Sequence, residues 1–176
     1  MANENTLDLN YKKLLQDFLK LREWTDELEE DTENSKMTLS TGIKIGNQGG
    51  RLIIEGSDKS GLLDVYIYFD QPCKENKIDQ MAILLNGIHQ RWAYGRFMVF
   101  PDGYMRWQHR IDFEGCNPTG LMISNLVQAG WDITGVYADT IMSVALTKQT
   151  AKDALMEFDE ARESDNDESD DGPSEL

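Results

Sequence analysis

The chain has 176 residues, 40% of them hydrophobic, and a formal net charge of −15 at pH 7. The length suits one domain with appendages, and the apolar content suits a packed core. An acidic surface repels phosphate backbones and anionic headgroups, which disfavours nucleic-acid and membrane-surface binding.

The first predicted element is an amphipathic helix over Asp8–Leu28. Its apolar residues recur at spacings of three and four, which is the period of one helix face; they are Tyr11, Leu14, Leu15, Phe18, Leu21, Trp24 and Leu28. Acidic residues crowd its C-terminal end and oppose the helix dipole, so we expect fraying there and a connector over Asp31–Lys36.

Three strands are predicted next, around Ile43–Ile45, over Arg51–Glu55 and over Leu63–Asp70. The third alternates with Leu63, Val65, Ile67 and Phe69 on one face, and it places Tyr66 and Tyr68 on the other. Because the connections are short, neighbouring strands should be antiparallel.

A second helix is predicted from about Glu75 to Trp92, with Asn76 as its N-cap. Pro101-Asp102-Gly103 then predicts a hairpin between Arg96–Phe100 and Tyr104–Glu114. The second arm turns Trp107 toward the core, and we expect Trp92 to pack near it.

Asn117-Pro118 predicts the start of a long third helix, in which Gly130 and Gly135 permit a bend. A short fourth helix starts at Thr150. The predicted fold is therefore α+β, an antiparallel sheet of about five strands packed against helices, in the order α-β-β-β-α-β-β-α-α. Its domain covers residues 1–162, and residues 163–176, with seven acidic and no basic residues, form a disordered tail.

The candidate residues for chemistry have simpler structural explanations. Cys73, His89, His109 and Cys116 match a zinc donor set in type, but structural zinc sites bring ligands in close pairs and these are spread out. Cys73 near a helix N-terminus suits a reactive thiol, yet no motif ties a base to it. Asp112 and Glu114 share a strand face with Arg106 and Arg110, which favours a salt network. We therefore expect no catalytic, cofactor or metal site, and no cofactor.

The absence of a basic and apolar leader and of an uncharged stretch of membrane-spanning length predicts a cytoplasmic protein. Two thiols in a chain of this length do not form a disulfide framework, which agrees with a reducing compartment.

The region from Met81 to Leu155 resembles the YbjN-type family, whose members look like type III secretion chaperones. The resemblance rests on Leu84-Leu85-Asn86, Gly95-Arg96-Phe97, Asp102-Gly103, Arg106–Glu114, Gly115-Cys116-Asn117-Pro118 and Thr150–Leu155. It implies an antiparallel sheet backed by helices, often dimeric, without enzymatic activity or cofactor. The acidic tail and the acidic first connector depart from the family pattern.

These observations predict a non-enzymatic protein-binding module, chaperone-like or regulatory, that engages a partner protein through a sheet edge, a groove or a homodimer face. Tyr66 and Tyr68 are the candidate partner-binding residues. The alternative is an enzyme or small-ligand-binding protein with an unrecognised site, which a deep pocket lined jointly by Cys73, His89, His109 or Asp112 would favour.

Overall fold

The computed structural model describes residues 9–92 and 94–168. The helices of this part of the chain are α1 (Tyr11–Arg22), α2 (Ile78–Arg91), α3 (Gly120–Leu146) and α4 (Ala151–Glu168), and a 3-10 turn, Glu75–Lys77, precedes α2. The strands are β1 (Leu28–Asp31), β2 (Lys36–Ile45), β3 (Gln48–Ser57), β4 (Leu62–Phe69), β5 (Arg96–Val99) and β6 (Met105–Asp112).

The six strands form one antiparallel sheet in the order β1-β2-β3-β4-β6-β5. Successive residues of a strand point to opposite faces, so the sheet has two chemically distinct faces. The predicted α+β class is thus confirmed. The predicted order of elements along the chain is also right, except that β1 adds a strand between α1 and β2.

The inner face of the sheet carries the core. Its side chains include the fully buried Leu39, Ile54, Val65 and Trp107. Helix α1 lies on this face, since the Tyr11 ring packs against Gly56, and α3 lies beside it, since Gly130 packs against the Trp107 ring. The prediction that Trp107 is buried is confirmed.

The N-terminal helix is shorter than predicted, and the sheet has one strand more. Helix α1 ends at Arg22, where Glu23 adopts a left-handed conformation with φ 56° and donates its N–H to Leu19 and Lys20 carbonyls. Trp24 then packs edge-on against Phe18, and Leu28 pairs with Leu39 in the sheet. The last two residues of the helical stripe are therefore partly buried by tertiary contacts rather than by a longer helix.

Strand β1 also changes the predicted connector. Asp31 accepts hydrogen bonds from the backbone N–H groups of Glu33 and Asn34, which closes a tight turn into β2. Three of the four residues of β1 are acidic. Charge on an edge strand opposes pairing with a second chain, which explains how so polar a segment is tolerated at the sheet edge.

The starts of two helices also differ from prediction. Helix α2 begins at Ile78 with Lys77 at the N-cap, so Asn76 does not cap it. Helix α3 begins at Gly120, where the Thr119 hydroxyl accepts the N–H of Met122 at 3.3 Å. Residues 117 and 118 lead into the helix without belonging to it.

Helix α3 runs unbroken for 27 residues, through Gly130 and Gly135. The missing side chain at Gly130 makes room for the Trp107 ring, so this glycine serves close packing rather than a bend. Trp92 follows the last residue of α2 with an extended backbone and is 41% exposed, so it is not part of the core that contains Trp107, contrary to prediction.

Helix α4 continues to Glu168, six residues past the predicted end of ordered structure at Arg162. The Ser164 hydroxyl bonds the carbonyls of Glu160 and Ala161, as serine does inside a helix. Residues 169–176 of the predicted tail lie outside the described residues.

Candidate functional site

The outer face of the sheet is accessible to solvent, and its central strands set a regular pattern of side chains on it. Arg51 lies opposite Tyr68, which lies opposite Arg106 on the next strand. In the adjacent row, Ile53 lies opposite Tyr66 and Tyr66 opposite Gln108. Strand β5 extends the two rows with Met98 and Arg96. We call these two rows the arginine–tyrosine face; its residues are Arg51, Ile53, Tyr66, Tyr68, Arg96, Met98, Arg106 and Gln108.

Arg106 is the centre of the face. Its guanidinium carbon lies 4.4 Å from the ring centroid of Tyr66, 4.9 Å from that of Phe100 and 5.4 Å from that of Tyr68. The guanidinium also donates a hydrogen bond to the Tyr68 hydroxyl. Stacking on aromatic rings holds a planar cation in place, so Arg106 is oriented before any partner arrives.

Two polar atoms of the face are buried without a hydrogen-bond partner among the described residues: Arg106 Nε and Gln108 Oε1. A buried donor or acceptor left unpaired costs about 1–3 kcal/mol. The side chains of the face therefore do not satisfy all of one another's hydrogen-bonding groups.

The next row of the sheet differs, because its charges are paired. Arg110 donates two hydrogen bonds to the Asp64 carboxylate, at 2.7 and 2.9 Å, and Lys36 lies 2.9 Å from Glu55. The hydrogen bonds to Asp64, together with its negative charge, hold the pKa of Arg110 above its usual range. By contrast, Arg51, Arg96 and Arg106 have no carboxylate within ion-pair distance in the described part of the chain.

Beside the first row lies a shallow depression of about 400 Å³. Its walls combine aromatic, aliphatic and charged side chains: Arg51, Ile53, Tyr68, Phe69, Asp70 and Tyr104. Burial, followed by Asp64 and Glu55, raises the pKa of Tyr66, so its hydroxyl is neutral at physiological pH. The arrangement offers flat aromatic surface and cationic hydrogen-bond donors, but no nucleophile paired with a base.

The sequence placed Tyr66 and Tyr68 on one strand face, and the structure brings their ring centroids to 6.2 Å. Sequence reasoning missed the role of Arg106, which it assigned to a salt network with Arg110, Asp112 and Glu114. In the structure Arg110 pairs across the strands with Asp64, and Asp112 accepts the backbone N–H of Glu114. Only the register between β4 and β6 shows that Arg106 lies beside the tyrosines.

The cysteines and histidines occupy separate settings. Cys73 is 4% exposed, and its burial raises the thiol pKa, whereas Cys116 is exposed. His89 Nε2 accepts the backbone N–H of Phe97 at 2.7 Å, and His109 stacks on Tyr94 with ring centroids 4.6 Å apart. Within residues 9–92 and 94–168, no group of three or more His, Cys, Asp or Glu side chains is placed to hold a metal ion.

Two grooves are lined mainly by residues outside the arginine–tyrosine face. A groove of about 240 Å³ beside β5 is lined by His89 but not by Cys73, His109 or Asp112. A second groove, of about 420 Å³, is lined by Trp92, Asp132, Ile133, Val136, Tyr137, Phe158 and Arg162. This second groove is the larger apolar concavity of the two, and it combines three aromatic walls with one acid and one base.

None of the helices among the described residues combines the length and apolar character needed to cross a membrane.

Comparison with known proteins gives a likeness to a solved structure. No protein-family model matches the chain, and no curated protein sequence matches it. The chain is similar to a chain in the solved structure of the HopA1–SchA chaperone–effector complex, with 18% sequence identity and a TM-score of 0.44. The match covers 69% of this chain and 86% of that chain.

Proposed function

We propose that this chain is a non-enzymatic protein-binding module, chaperone-like or regulatory, that engages a partner protein through the arginine–tyrosine face. The observation that carries the proposal is an oriented arginine among aromatic rings, on a sheet face that remains open to solvent. The likeness to a chain of a chaperone–effector complex agrees with this proposal, but the proposal does not rest on it.

The chemistry of the face suits protein recognition. Tyrosine and arginine are over-represented among the residues that dominate binding energy at protein interfaces. Tyr66 and Tyr68 present large surfaces with few rotatable bonds, so ordering them on binding costs little entropy. The partly buried Ile53 and Met98 add apolar area between the charged groups.

A second candidate is a small-ligand site in the groove beside Trp92. Its volume, about 420 Å³, falls within the range of small-molecule pockets, and Arg162 and Asp132 supply opposite charges at its wall. The wall residues that the structure describes include no cysteine or serine nucleophile to pair with the Asp132 carboxylate, so this groove favours binding over catalysis.

A capture experiment separates the two sites. Immobilised full-length chain is used to recover partners from a cell lysate, and the Tyr66→Ala/Tyr68→Ala variant is compared with Val136→Arg, which fills the groove. We expect the double variant to bind the stoichiometric partner more than tenfold more weakly than the wild-type chain does. Interface aromatics of this kind each contribute about 2 kcal/mol or more to binding. Val136→Arg should keep that partner.

Leu121→Ala removes an exposed apolar side chain elsewhere on α3 and is the matched control. Circular dichroism melts establish that each variant folds. Partner loss in Val136→Arg, with retention in the tyrosine variant, would move the site to the groove; recovery of no stoichiometric partner would count against the proposal itself.

We also propose a cytoplasmic location and a homodimer, which light scattering would detect. We further propose that residues 1–162 form a domain that folds without residues 163–176, although α4 itself extends to Glu168. A chain shortened after Arg162 that keeps its melting temperature and its partner would support that boundary. Loss of either would show that residues 163–176 belong to the working unit.

A further inference from the structure

We infer that the partner of the arginine–tyrosine face is an acidic protein segment, whose carboxylates pair with Arg51 and Arg106 and whose apolar side chain packs on Tyr68 between them. The inference rests on the proposed function and specifies the chemistry of the partner.

The sheet register fixes the spacing of the two cationic positions. Arg51 and Arg106 flank Tyr68 on successive strands of one row. Adjacent strands lie about 4.8 Å apart, so the two arginine Cα atoms are about 10 Å apart with a tyrosine ring between them. A segment fits this arrangement if it presents two carboxylates about 10 Å apart on one side, with one apolar side chain between them on the same side.

The distribution of charge gives the sign of the partner. The chain carries 32 acidic and 17 basic residues, yet the arginine–tyrosine face contains three arginines and no acid, with Asp70 at the rim of the adjoining depression. None of the three arginines has a carboxylate partner among the described residues. Arg106 is already aligned on aromatic rings, and a guanidinium can bind a carboxylate through two parallel hydrogen bonds.

A second copy of the chain fits this face poorly. In a two-fold symmetric dimer the same patch meets itself, which would bring one set of unpaired arginines against another. Pairing the face with an acidic surface elsewhere on a second copy would be a head-to-tail contact, which builds rings or filaments instead of a two-fold dimer.

A nucleic acid also carries negative charge and stacks on aromatic rings, but its phosphates continue along the strand. The row beside the arginine–tyrosine face holds Glu55 and Asp64, and Asp112 lies one row further on. A phosphate backbone that left the arginine row in this direction would meet these carboxylates, and the net charge of −15 repels a long polyanion more than a short acidic segment.

The test is selection of peptides from a random display library against the immobilised full chain, followed by affinity measurement with the selected peptides. We expect them to be enriched in Asp and Glu with an aromatic or aliphatic residue between. Arg51→Gln/Arg106→Gln should weaken their binding at least tenfold, because it removes both charge-assisted contacts. The matched control, Lys148→Gln/Lys152→Gln, removes two exposed positive charges from the region of α4 and should leave affinity unchanged.

Other outcomes separate this inference from the proposed function. If the selected peptides are neutral and do not bind the Tyr66→Ala/Tyr68→Ala variant, the face is still a protein-binding site, but the inference of an acidic partner is overturned. Peptides insensitive to both double variants, or no peptides at all, would overturn both. A single-stranded oligonucleotide that displaces the peptides through Arg51 and Arg106 would also overturn the inference. If Arg106→Gln does not fold, Arg51→Glu alone must weaken the acidic peptides more than Arg51→Gln.

Discussion

His89 closes part of a sheet edge with a side chain. Strand β5 is the last strand of the sheet, and the N–H of Phe97 donates to His89 Nε2 on α2 at 2.7 Å. The imidazole therefore supplies the acceptor that another strand would supply in the middle of a sheet. Burial, and then the charge of Arg96, lower the pKa of His89, which keeps this nitrogen unprotonated and able to accept.

This arrangement predicts a pH-dependent stability. The pKa of His89 is lower in the folded chain than the ordinary value near 6.5, so the unfolded chain binds the proton more readily. The contribution of His89 is complete above about pH 6.5, and the free energy of unfolding should fall as the pH decreases through 6.5 towards the folded value. Urea unfolding at pH 7.5, 6.5 and 5.5 measures it.

His89→Gln should flatten this pH dependence, because an amide oxygen can accept the Phe97 N–H at every pH. Part of the slope should persist, since burial and Arg96 also lower the pKa of His109. The pKa values of Asp31 and Asp159 are lowered from 3.8, so these groups titrate below this window. Equal slopes in the wild-type chain and the variant would contradict the role assigned to His89.

At the scale of elements, α3 shows that two glycines of one helix have opposite consequences. A Cβ at Gly130 would overlap the Trp107 ring, whereas a Cβ at Gly135 has nothing within 4 Å. Trp107 is fully buried, so its ring has no free space into which to move. Gly130 is therefore required by the contact between helix and sheet, while Gly135 is tolerated by it.

Alanine at each position tests this difference. Gly130→Ala should lower the free energy of unfolding by about 1–3 kcal/mol, as overpacking of a core does. Gly135→Ala should raise it by up to about 1 kcal/mol, because alanine favours the helix and meets no obstacle. Chemical denaturation of both variants is the measurement. A gain at Gly130 or a loss at Gly135 would show that α3 is packed differently.

At the scale of the whole molecule, net charge opposes folding. A formal charge of −15 on 176 residues produces repulsion that the ion pairs of the described residues relieve only locally. Each of those pairs has at least one exposed side chain, so each contributes little. Repulsion between like charges should therefore dominate the response of the protein to salt.

We expect the melting temperature to rise by about 2–4 °C between 20 and 300 mM NaCl, which corresponds to roughly 1 kcal/mol for a chain of this size. Differential scanning calorimetry measures the shift, and an equal osmolality of a neutral solute serves as the control. A melting temperature that falls with NaCl would mean that ion pairs such as Arg110–Asp64 outweigh the repulsion.

The sequence by itself determined the α+β class, the hairpin at Pro101-Asp102-Gly103, the burial of Trp107 and the common face of Tyr66 and Tyr68. These features depend on periods of two and 3.6 residues and on turn chemistry, which are written within short segments. The capping of α4 is local in the same way, since the Thr150 hydroxyl accepts the N–H of Asp153 at 3.2 Å.

Only the tertiary structure decided where α1 ends, that β1 exists and that Arg51, Tyr68 and Arg106 form one row. Each depends on contacts between residues far apart in the chain: Trp24 with Trp131, Leu28 with Leu39, and the register of β4 with β6. A helix can end before its apolar pattern does when the later apolar residues pack on other elements of the fold. Strand register is set by the sheet as a whole. Neither is encoded in the spacing of neighbouring residues.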